Sequence, residues 1–438
     1  MDTRSNAKCN NFIPFKFNGF DCFAIMLLMF IGTFCRFWRI HQPRGYLYSE
    51  IDTLSAIHNY SSGNFFYECK PPLGRIFLYQ LSKKISYDYS YNLSTKNGYT
   101  YPSVFYISLR TVSAMLSVLV IPLSYLILRL FNCNKFVSGV CGLFCFMEPS
   151  LISTGRMISD DGFVQFFGCL SMLCAAFSYH YSYHSNEQKA FIFCQGIFAG
   201  IAFSASYNCL IYVVFALLWP LLKFSSKKQM KINLLIILIV YYITVLAHIL
   251  MTQKYDNNNI LFEMLLKIKT DNNHLGIKHI LLAFNYIIRQ IFDFILKSIN
   301  SLKIKKIIHK LFIIEKPTLL YVDSKQKAYC FVNKYVSIPS LIISYYTIYH
   351  GISMKIFDIK FIISSLFITS TILNAISYHQ KGCIDSHISA FIGIISFGLN
   401  IEHLFDKYML SSILTFWSIF SLFIFIKSST IIFSYPSD

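Results

Sequence analysis

The chain has 438 residues, of which 55% are hydrophobic, 17% aromatic and 14% charged, and its formal net charge is +18 at pH 7. Soluble domains carry roughly 25% charged residues, so this composition excludes a soluble globular protein and predicts an all-α integral membrane protein. The lysines lie between apolar segments without a recognition motif. We therefore expect membrane lipid as a partner and no nucleic acid.

The apolar segments in chain order predict about eleven spans. Residues 1–19 are polar and basic, and we interpret them as a cytosolic N-terminal tail. The run Cys22–Cys35 has no small-residue cleavage site after it, which indicates an uncleaved signal anchor. Further segments follow at roughly 104–131, 136–153, 160–181, 190–206, 208–222, 233–251, 331–349, 358–376, 385–404 and 410–433. The division near Tyr207 has an alternative, because 190–222 also fits one long helix.

Lysine distribution predicts the orientation and the domain order. Lys223, Lys227, Lys228 and Lys231 cluster in one connection, which the positive-inside rule places in the cytosol with the N-terminus. The loop 36–103 then faces the other side, within a first membrane module of residues 20–251. Residues 252–330 are lysine-rich with apolar residues at helical spacing, which predicts amphipathic helices at the membrane surface. Residues 331–438 form the predicted C-terminal membrane module.

The thirteen cysteines are scattered, mostly inside apolar runs, with no CxxC pair. No histidine accompanies them at the spacing of a metal site. We interpret them as small core residues, and we expect neither a metal nor a cofactor.

Charged residues beside the apolar segments are candidate site residues. Arg110 lies inside an apolar run, where its charge needs an anion or water, or else must reach the surface along its own side chain. Glu148 with Arg156, and Asp160 with Asp161, form either a structural clasp or the lining of a polar site.

A later cluster contains Lys381 and His387 at a span boundary, where a solvated loop end is the simpler explanation. Residue types alone thus leave a transferase and a transporter as alternatives for this membrane protein.

The stretch Tyr48–Arg75 follows the first predicted span and contains the acidic residues Glu50 and Asp52. It also carries a Gly-Asn-Phe-Phe turn at residues 63–66 and two prolines at 71–72. Rigid prolines and a turn predict a shaped surface outside the membrane, although a plain spacer between two helices is the alternative.

The order of residues in this stretch resembles the first lumenal loop of the protein O-mannosyltransferases, the dolichyl-phosphate-mannose:protein mannosyltransferases. Residues 48–53, 62–66 and 68–75 align without a gap with the family's Phe-Asp-Glu-Val-His-Phe, Lys-Gly-Arg-Phe-Phe and Asp-Val-His-Pro-Pro-Leu-Gly-Lys segments. Arg110 stands where the family has a Met-Arg pair, and residues 148–161 are similar to its pattern of an acidic residue, Arg and Leu-Leu-Asp. The match is strong over 36–165 and weak thereafter.

The resemblance implies a GT-C type bundle of about eleven transmembrane helices with lumenal loops, in the membrane of the endoplasmic reticulum. It implies transfer of mannose, with inversion, from dolichyl-phosphate-mannose to Ser or Thr hydroxyls of secretory polypeptides. Such a reaction needs a carboxylate to accept the hydroxyl proton and cations to hold the phosphate. A heterodimer with a homologous mannosyltransferase is one expected assembly.

The same resemblance suggests the site residues and the points of departure. Glu50 and Asp52 are the candidate catalytic carboxylates. The candidate residues for binding the donor phosphate and the substrates are Lys70, Arg110, Arg156, Asp161, Asn208, Lys381 and His387.

Three positions depart from the family pattern: Ser49 stands where the family has Asp, Lys70 where it has His, and Asn208 where it has Lys. Residues 252–330 also lack the length and composition of the family's MIR domain. One hypothesis is therefore an active transferase that uses Glu50 or Asp52 as the base. The other is a catalytically impaired homologue that acts as a non-catalytic partner subunit of an active mannosyltransferase.

Overall fold

Among the residues that the computed structural model describes, nearly all of the regular structure is helical. The described residues are 17–42, 48–68, 70–85, 105–182, 185–252, 283–293, 318–322, 327–330, 334–354, 358–377, 386–402 and 407–433, together with residues 87, 89, 101, 356 and 404. Most of the predicted N-terminal tail and of the segment 252–330 lies outside the described residues.

The described residues form fifteen α-helices, one 3-10 turn and one hairpin. The helices are α1 (Gly19–Phe37), α2 (Tyr48–Ser62), α3 (Leu73–Lys84), α4 (Phe105–Leu130), α5 (Lys135–Met147), α6 (Pro149–Gly155), α7 (Asp161–Tyr179), α8 (Asn186–Phe203), α9 (Leu210–Phe224), α10 (Lys227–Met251), α11 (283–293), α12 (Lys334–Met354), α13 (Ile359–Ser377), α14 (Ser386–Ile401) and α15 (Lys407–Phe433). The 3-10 turn Tyr207–Cys209 precedes α9.

The hairpin pairs β1 (Thr318–Val322) with β2 (Lys327–Cys330) in antiparallel fashion. It is the one sheet among the described residues and a small exception to the all-α prediction; the first strand, Thr-Leu-Leu-Tyr-Val, contains β-branched and aromatic residues that favour an extended backbone. The helix α11 agrees with the amphipathic helices predicted for 252–330, whereas the hairpin does not.

Five helical segments are long and apolar enough to cross a membrane: α1, α4, α7, residues 207–224 and α10. The pair α5 and α6 makes a sixth if its 56° bend lies within one span. Shorter apolar helices lie at Ile359–Ile372, His387–Ile401 and Tyr408–Phe423. The described residues thus support five or six spans, not the predicted eleven, although each predicted segment overlaps a helix. The helix α8, for example, does not count as a span. Its first turn carries Glu187 and Lys189, which shorten its apolar stretch.

Two breaks in the helices have local causes. Between α5 and α6, Glu148 adopts an extended conformation and Pro149 starts the new helix, so the apolar run predicted as one short span bends. Between α8 and α9, Ser206 is extended and its hydroxyl accepts from the Asn208 amide. The predicted division near Tyr207 is therefore confirmed, and it leaves a polar backbone segment between two apolar helices.

The end of α1 near its N-terminus is fixed by a buried polar cluster. Asp21 caps the helix through the backbone amide of Asn18, at 3.1 Å. The same carboxylate accepts from the hydroxyl of Tyr125 at 2.6 Å and from Nε of Arg129 at 3.1 Å, both on α4. A buried carboxylate with three donors is fully compensated, so it binds α1 to α4 at low cost.

One apolar cluster joins the two predicted membrane modules. It includes Ile121 and Phe144 from the first module together with Ile363, Phe391 and Leu414 from the second. Within the second module, Ser396 of α14 hydrogen bonds to the hydroxyls of Ser344 on α12, at 2.8 Å, and Ser364 on α13, at 3.1 Å. Such interhelical bonds between small polar residues stabilise helix packing where water is absent.

Candidate active site

The first turn of α2 carries the central ion pair of the candidate site. Glu50 and Arg110 are both fully buried, and Nε and Nη2 of Arg110 donate to the two carboxylate oxygens at 2.7 and 2.8 Å. The hydroxyl of Tyr101 donates to Oε2 at 2.8 Å, and the backbone amide of Ile158 donates to Oε1 at 3.0 Å. Glu50 thus receives four donors from three parts of the chain.

Two aromatic rings pack against one side of the Glu50–Arg110 ion pair. Tyr101 and Tyr106 stack with their ring centroids 4.2 Å apart, and the Arg110 guanidinium lies 4.8 Å from the centroid of Tyr106. Burial, followed by the negative charge of Glu50, raises the pKa of the Tyr101 hydroxyl well above its ordinary value. Tyr101 therefore remains a hydrogen-bond donor to Glu50 across the physiological pH range.

The end of α1 is closed by two arginines from later in the chain. Nη1 of Arg156 donates to the carbonyl oxygens of Arg36 and Trp38, at 3.0 and 2.6 Å, and Nη2 donates to that of Arg39 at 3.0 Å. Arg110 reaches the carbonyl of the next residue, Ile40, at 3.4 Å. A cation at a helix C-terminus satisfies carbonyls that have no partner within the helix. Both guanidinium groups thus hold the turn that leads into the candidate site.

Residues 70–72, which we call the Lys-Pro-Pro corner, are attached to the rest of the site just after the two prolines. The backbone amide of Leu73 donates to the carbonyl of Ser204 at 2.9 Å, in the break between α8 and α9. A Cβ added to Gly74 would lie 2.5 Å from Cβ of Asp160, so the backbone touches the turn before α7 and only glycine fits. Arg75 forms an ion pair with Glu68 across the corner.

A buried histidine holds the other end of the same loop. The end of α2 is followed by Gly63 with φ of 74°, which reverses the chain as the predicted turn requires. Nδ1 of His248 on α10 lies 2.7 Å from the hydroxyl of Tyr60, and Nε2 lies 3.2 Å from the carbonyl of Phe66. Burial raises the pKa of the Tyr60 hydroxyl, so Tyr60 donates to Nδ1 and the Nε2 proton of His248 is left for Phe66.

The structure brings only some of the predicted site residues together. Glu50 and Arg110 are in direct contact, and Arg156 joins them through neighbouring carbonyls of α1. Asp52 is exposed on α2, and Lys70 is exposed on the corner. Because α2 is helical from Tyr48, position 49 and position 52 are neighbours on one helix face.

The remaining predicted residues lie further along the chain. Asp161 is in the first turn of α7, and Asn208 is half-buried in the 3-10 turn that follows Ser204. His387 is buried in the first turn of α14, a helix that packs against α5, α12 and α13. Lys381 lies outside the described residues.

Several residues of this region were not predicted from the sequence. His248 is a polar side chain in the last turn of the apolar helix α10, and this position was the available signal in the sequence. Tyr101 precedes α4 and had no such signal. The amide of Ile158 left no side-chain signal, because a backbone group contacts Glu50 there.

Comparison with known proteins identifies one family model. The model described as dolichyl-phosphate-mannose-protein mannosyltransferase matches residues 26–262, slightly more than half of the chain. The chain is 25% identical over 191 residues to dolichyl-phosphate-mannose–protein mannosyltransferase 4 of Schizosaccharomyces pombe, covering 42% of this chain and 24% of that protein. It is 30% identical over 124 residues to mannosyltransferase 5 of Candida albicans, covering 28% of this chain and 17% of that protein. The chain thus spans about a quarter or less of the length of these relatives.

Solved structures give weaker likenesses. The Saccharomyces cerevisiae protein O-mannosyltransferase Pmt1-Pmt2 complex bound to the sugar donor matches with a TM-score of 0.49 and 19% identity, over 54% of this chain and 35% of that one. The oligosaccharyltransferase AglB of Archaeoglobus fulgidus matches with a TM-score of 0.48 and 11% identity, over 94% of this chain and 54% of that one.

Proposed function

Because the chain belongs to the family of dolichyl-phosphate-mannose-protein mannosyltransferases, we propose that it transfers mannose from dolichyl-phosphate-mannose to Ser or Thr hydroxyls of secretory-pathway proteins. One observation carries the proposal: the matched range 26–262 contains Glu50, Lys70, Arg110 and Asn208, together with the turn before α7. The three predicted site residues that the structure brings together, Glu50, Arg110 and Arg156, all lie within the range that the family model covers.

We assign Glu50 a positioning role, because its two oxygens already face four donors. Taking a proton would break the charged pair with Arg110 inside a buried site, which is costly. Asp52 is the better candidate base, since it is exposed and adjoins position 49 on the same face of α2. In this proposal a carboxylate one turn later takes over from the Asp that Ser49 replaces.

The reaction then has one displacement step. The hydroxyl oxygen of the acceptor Ser or Thr attacks C1 of mannose, and Asp52 accepts the proton of that hydroxyl. The bond between C1 and the phosphate oxygen breaks, its electron pair leaves with dolichyl phosphate, and the sugar carbon is inverted. Lys70 is the candidate cation for the developing phosphate charge, because it is exposed on a corner that contacts two neighbouring segments, the break before α9 and the turn before α7. Arg110 and Arg156 act through the position of the loop, as their contacts with Glu50 and the end of α1 support.

The proposed setting follows from the same family. We propose a GT-C type bundle of about eleven spans in the membrane of the endoplasmic reticulum, with the N-terminus cytosolic and the site lumenal. The modules are those predicted above: 1–19, 20–251, 252–330 and 331–438. A heterodimer with a homologous mannosyltransferase is the proposed assembly.

The test uses the purified full chain in lipid nanodiscs with radiolabelled dolichyl-phosphate-mannose and a Ser/Thr peptide. We expect Asp52→Asn to reduce transfer by about a hundredfold or more, the usual contribution of a general base, with His58→Ala on the same helix as the control. Full transfer by Asp52→Asn would exclude it as the base.

Absence of transfer by the unmodified chain, with activity appearing in Ser49→Asp, would favour the non-catalytic partner subunit instead. In that case, co-purification with a homologous mannosyltransferase is the next measurement.

A further inference from the structure

The helix α11 contacts the Lys-Pro-Pro corner with its polar face. The hydroxyl of Tyr67, just before the corner, donates to Oδ2 of Asp293 at 2.7 Å. The buried residues of α11 are Ala283, Tyr286 and Gln290, which recur at helical spacing. This helix belongs to the basic segment that the sequence separated from the candidate site, so a part of the chain more than 200 residues away forms one of its walls.

Gln290 of α11 makes specific hydrogen bonds to the corner and to two tyrosines. Its Nε2 atom donates to the carbonyl oxygens of Glu68, at 2.7 Å, and Lys70, at 3.1 Å. Its Oε1 atom lies 2.7 Å from the hydroxyl of Tyr241 and 3.1 Å from that of Tyr207. The side chain is fully buried. Gln290 thus connects three parts of the chain: the corner, Tyr207 in the break before α9, and Tyr241 on α10.

The chemistry of the partners fixes the orientation of this amide. Backbone carbonyls accept only, so the NH2 group must face Glu68 and Lys70, and the oxygen must face the two tyrosines. The two tyrosine hydroxyls lie 2.6 Å apart and have two protons between them. Their shortest contacts form a relay in which Tyr207 donates to Tyr241 and Tyr241 donates to Gln290. A buried glutamine with both ends engaged holds the corner in one place.

The opposite face of α11 is apolar and exposed. Phe284, Ile288 and Phe292 are each more than half exposed, so α11 turns its apolar side outward. A helix in water packs its apolar face inward. The outward apolar face suits the boundary of a membrane. On its inner face, Ala283 and Tyr286 pack in one apolar cluster with Phe65. The hydrogen bonds of Gln290 add to this packing and fix where the corner lies.

We propose that Gln290 is a positioning residue of the donor site: through the carbonyls of Glu68 and Lys70 it fixes the corner so that the Lys70 side chain meets the donor phosphate. The statement rests on the proposed function for the identity of the ligand. The attachment of the corner to α11 through Gln290, which we call the tether, rests only on the contacts of Gln290. The two parts are measured separately.

The experiment compares Gln290→Leu with the unmodified full chain in nanodiscs. The control is Gln195→Leu, since Gln195 is equally buried on α8 and neither amide atom has a hydrogen-bond partner among the described residues. A second variant, Tyr241→Phe, keeps the ring and removes only the hydroxyl that donates to Gln290.

Hydrogen–deuterium exchange tests the tether. In Gln290→Leu we expect the amides of residues 65–70 to exchange about tenfold faster, and in Tyr241→Phe by a smaller factor, because losing buried hydrogen bonds promotes local opening. Gln195→Leu is expected to exchange as the unmodified chain does. Unchanged exchange in Gln290→Leu, or an equal change in Gln195→Leu, would overturn the proposal.

Binding and kinetics test the positioning. We expect the Kd for dolichyl phosphate and the KM for the donor to rise about tenfold in Gln290→Leu, because losing a residue that positions a binding group weakens binding of its ligand. The KM for the acceptor peptide should stay unchanged. Equal changes for donor and acceptor would overturn the positioning role. If the unmodified chain neither binds dolichyl phosphate nor transfers mannose, the proposed function fails, while the exchange rates still decide on the tether.

Discussion

Substituting Glu50 by glutamine should destabilise the chain far more than any change at Asp52. Oε1 accepts from Nε of Arg110 and the amide of Ile158, and Oε2 accepts from Nη2 of Arg110 and the hydroxyl of Tyr101. An NH2 group in place of Oε1 faces two N–H donors and loses both hydrogen bonds, whereas in place of Oε2 it loses the bond with Arg110 and the Tyr101 hydroxyl must turn to accept from it. The Arg110 charge stays buried without a carboxylate, and removing one partner of such a pair costs about 3–5 kcal/mol.

The assay is the free energy of unfolding of the detergent-solubilised chain, followed by circular dichroism against denaturant. Asp52→Asn is the matched control, because the same chemical change on an exposed side chain of the same helix shifts stability by less than about 0.5 kcal/mol. The double variant Glu50→Leu with Arg110→Met removes both charges and should recover most of the loss. Equal stability of Glu50→Gln and Asp52→Asn would refute the argument that the buried pair organises this region.

Three further substitutions test other contacts. Arg156→Met should cost roughly 1–3 kcal/mol and speed amide exchange around residues 36–40, because the end of α1 loses its donors; exchange unchanged there would contradict the capping role. Gly74→Ala should cost about 1–3 kcal/mol in the same unfolding assay, since its Cβ would meet Asp160; a neutral result would mean that the corner can move. Ser396→Ala should cost only about 0.6 kcal/mol, the average for hydrogen bonds between membrane helices, and a loss of several times that value would show a larger role for the serine cluster.

Periodicity and apolar length predicted the helical part of the fold. The runs that became α4, α7 and α10 contain enough apolar residues in sequence for their helices to be recognised locally. The division near Tyr207 was visible for the same reason, because Tyr207 and Asn208 interrupt an apolar run. The hairpin at 318–330 was missed because pairing of two short strands is decided between segments and not within one.

The candidate site was predictable in its residue types but not in its contacts. The stretch Tyr48–Arg75 carried recognisable residues, yet nothing in it indicates that the Glu50 oxygens would be fully occupied by partners 51 to 108 residues away. Arg156 reads as a candidate phosphate ligand, and the structure engages it with carbonyls of α1. Such pairings depend on how helices pack, which the spacing of residues along one segment does not contain.

Three of the arginines share a further property that concerns the order of synthesis, which buried Arg36 lacks because its partners Ser117 and Phe146 follow it in the chain. Arg110 meets Glu50, Arg129 meets Asp21, and Arg156 meets the end of α1; in each case the acceptor precedes the cation in the chain. Chains emerge from the ribosome with the N-terminus first. Each of these three cations is therefore synthesised after the carboxylate or helix end that it contacts, so that group is already present when the guanidinium emerges.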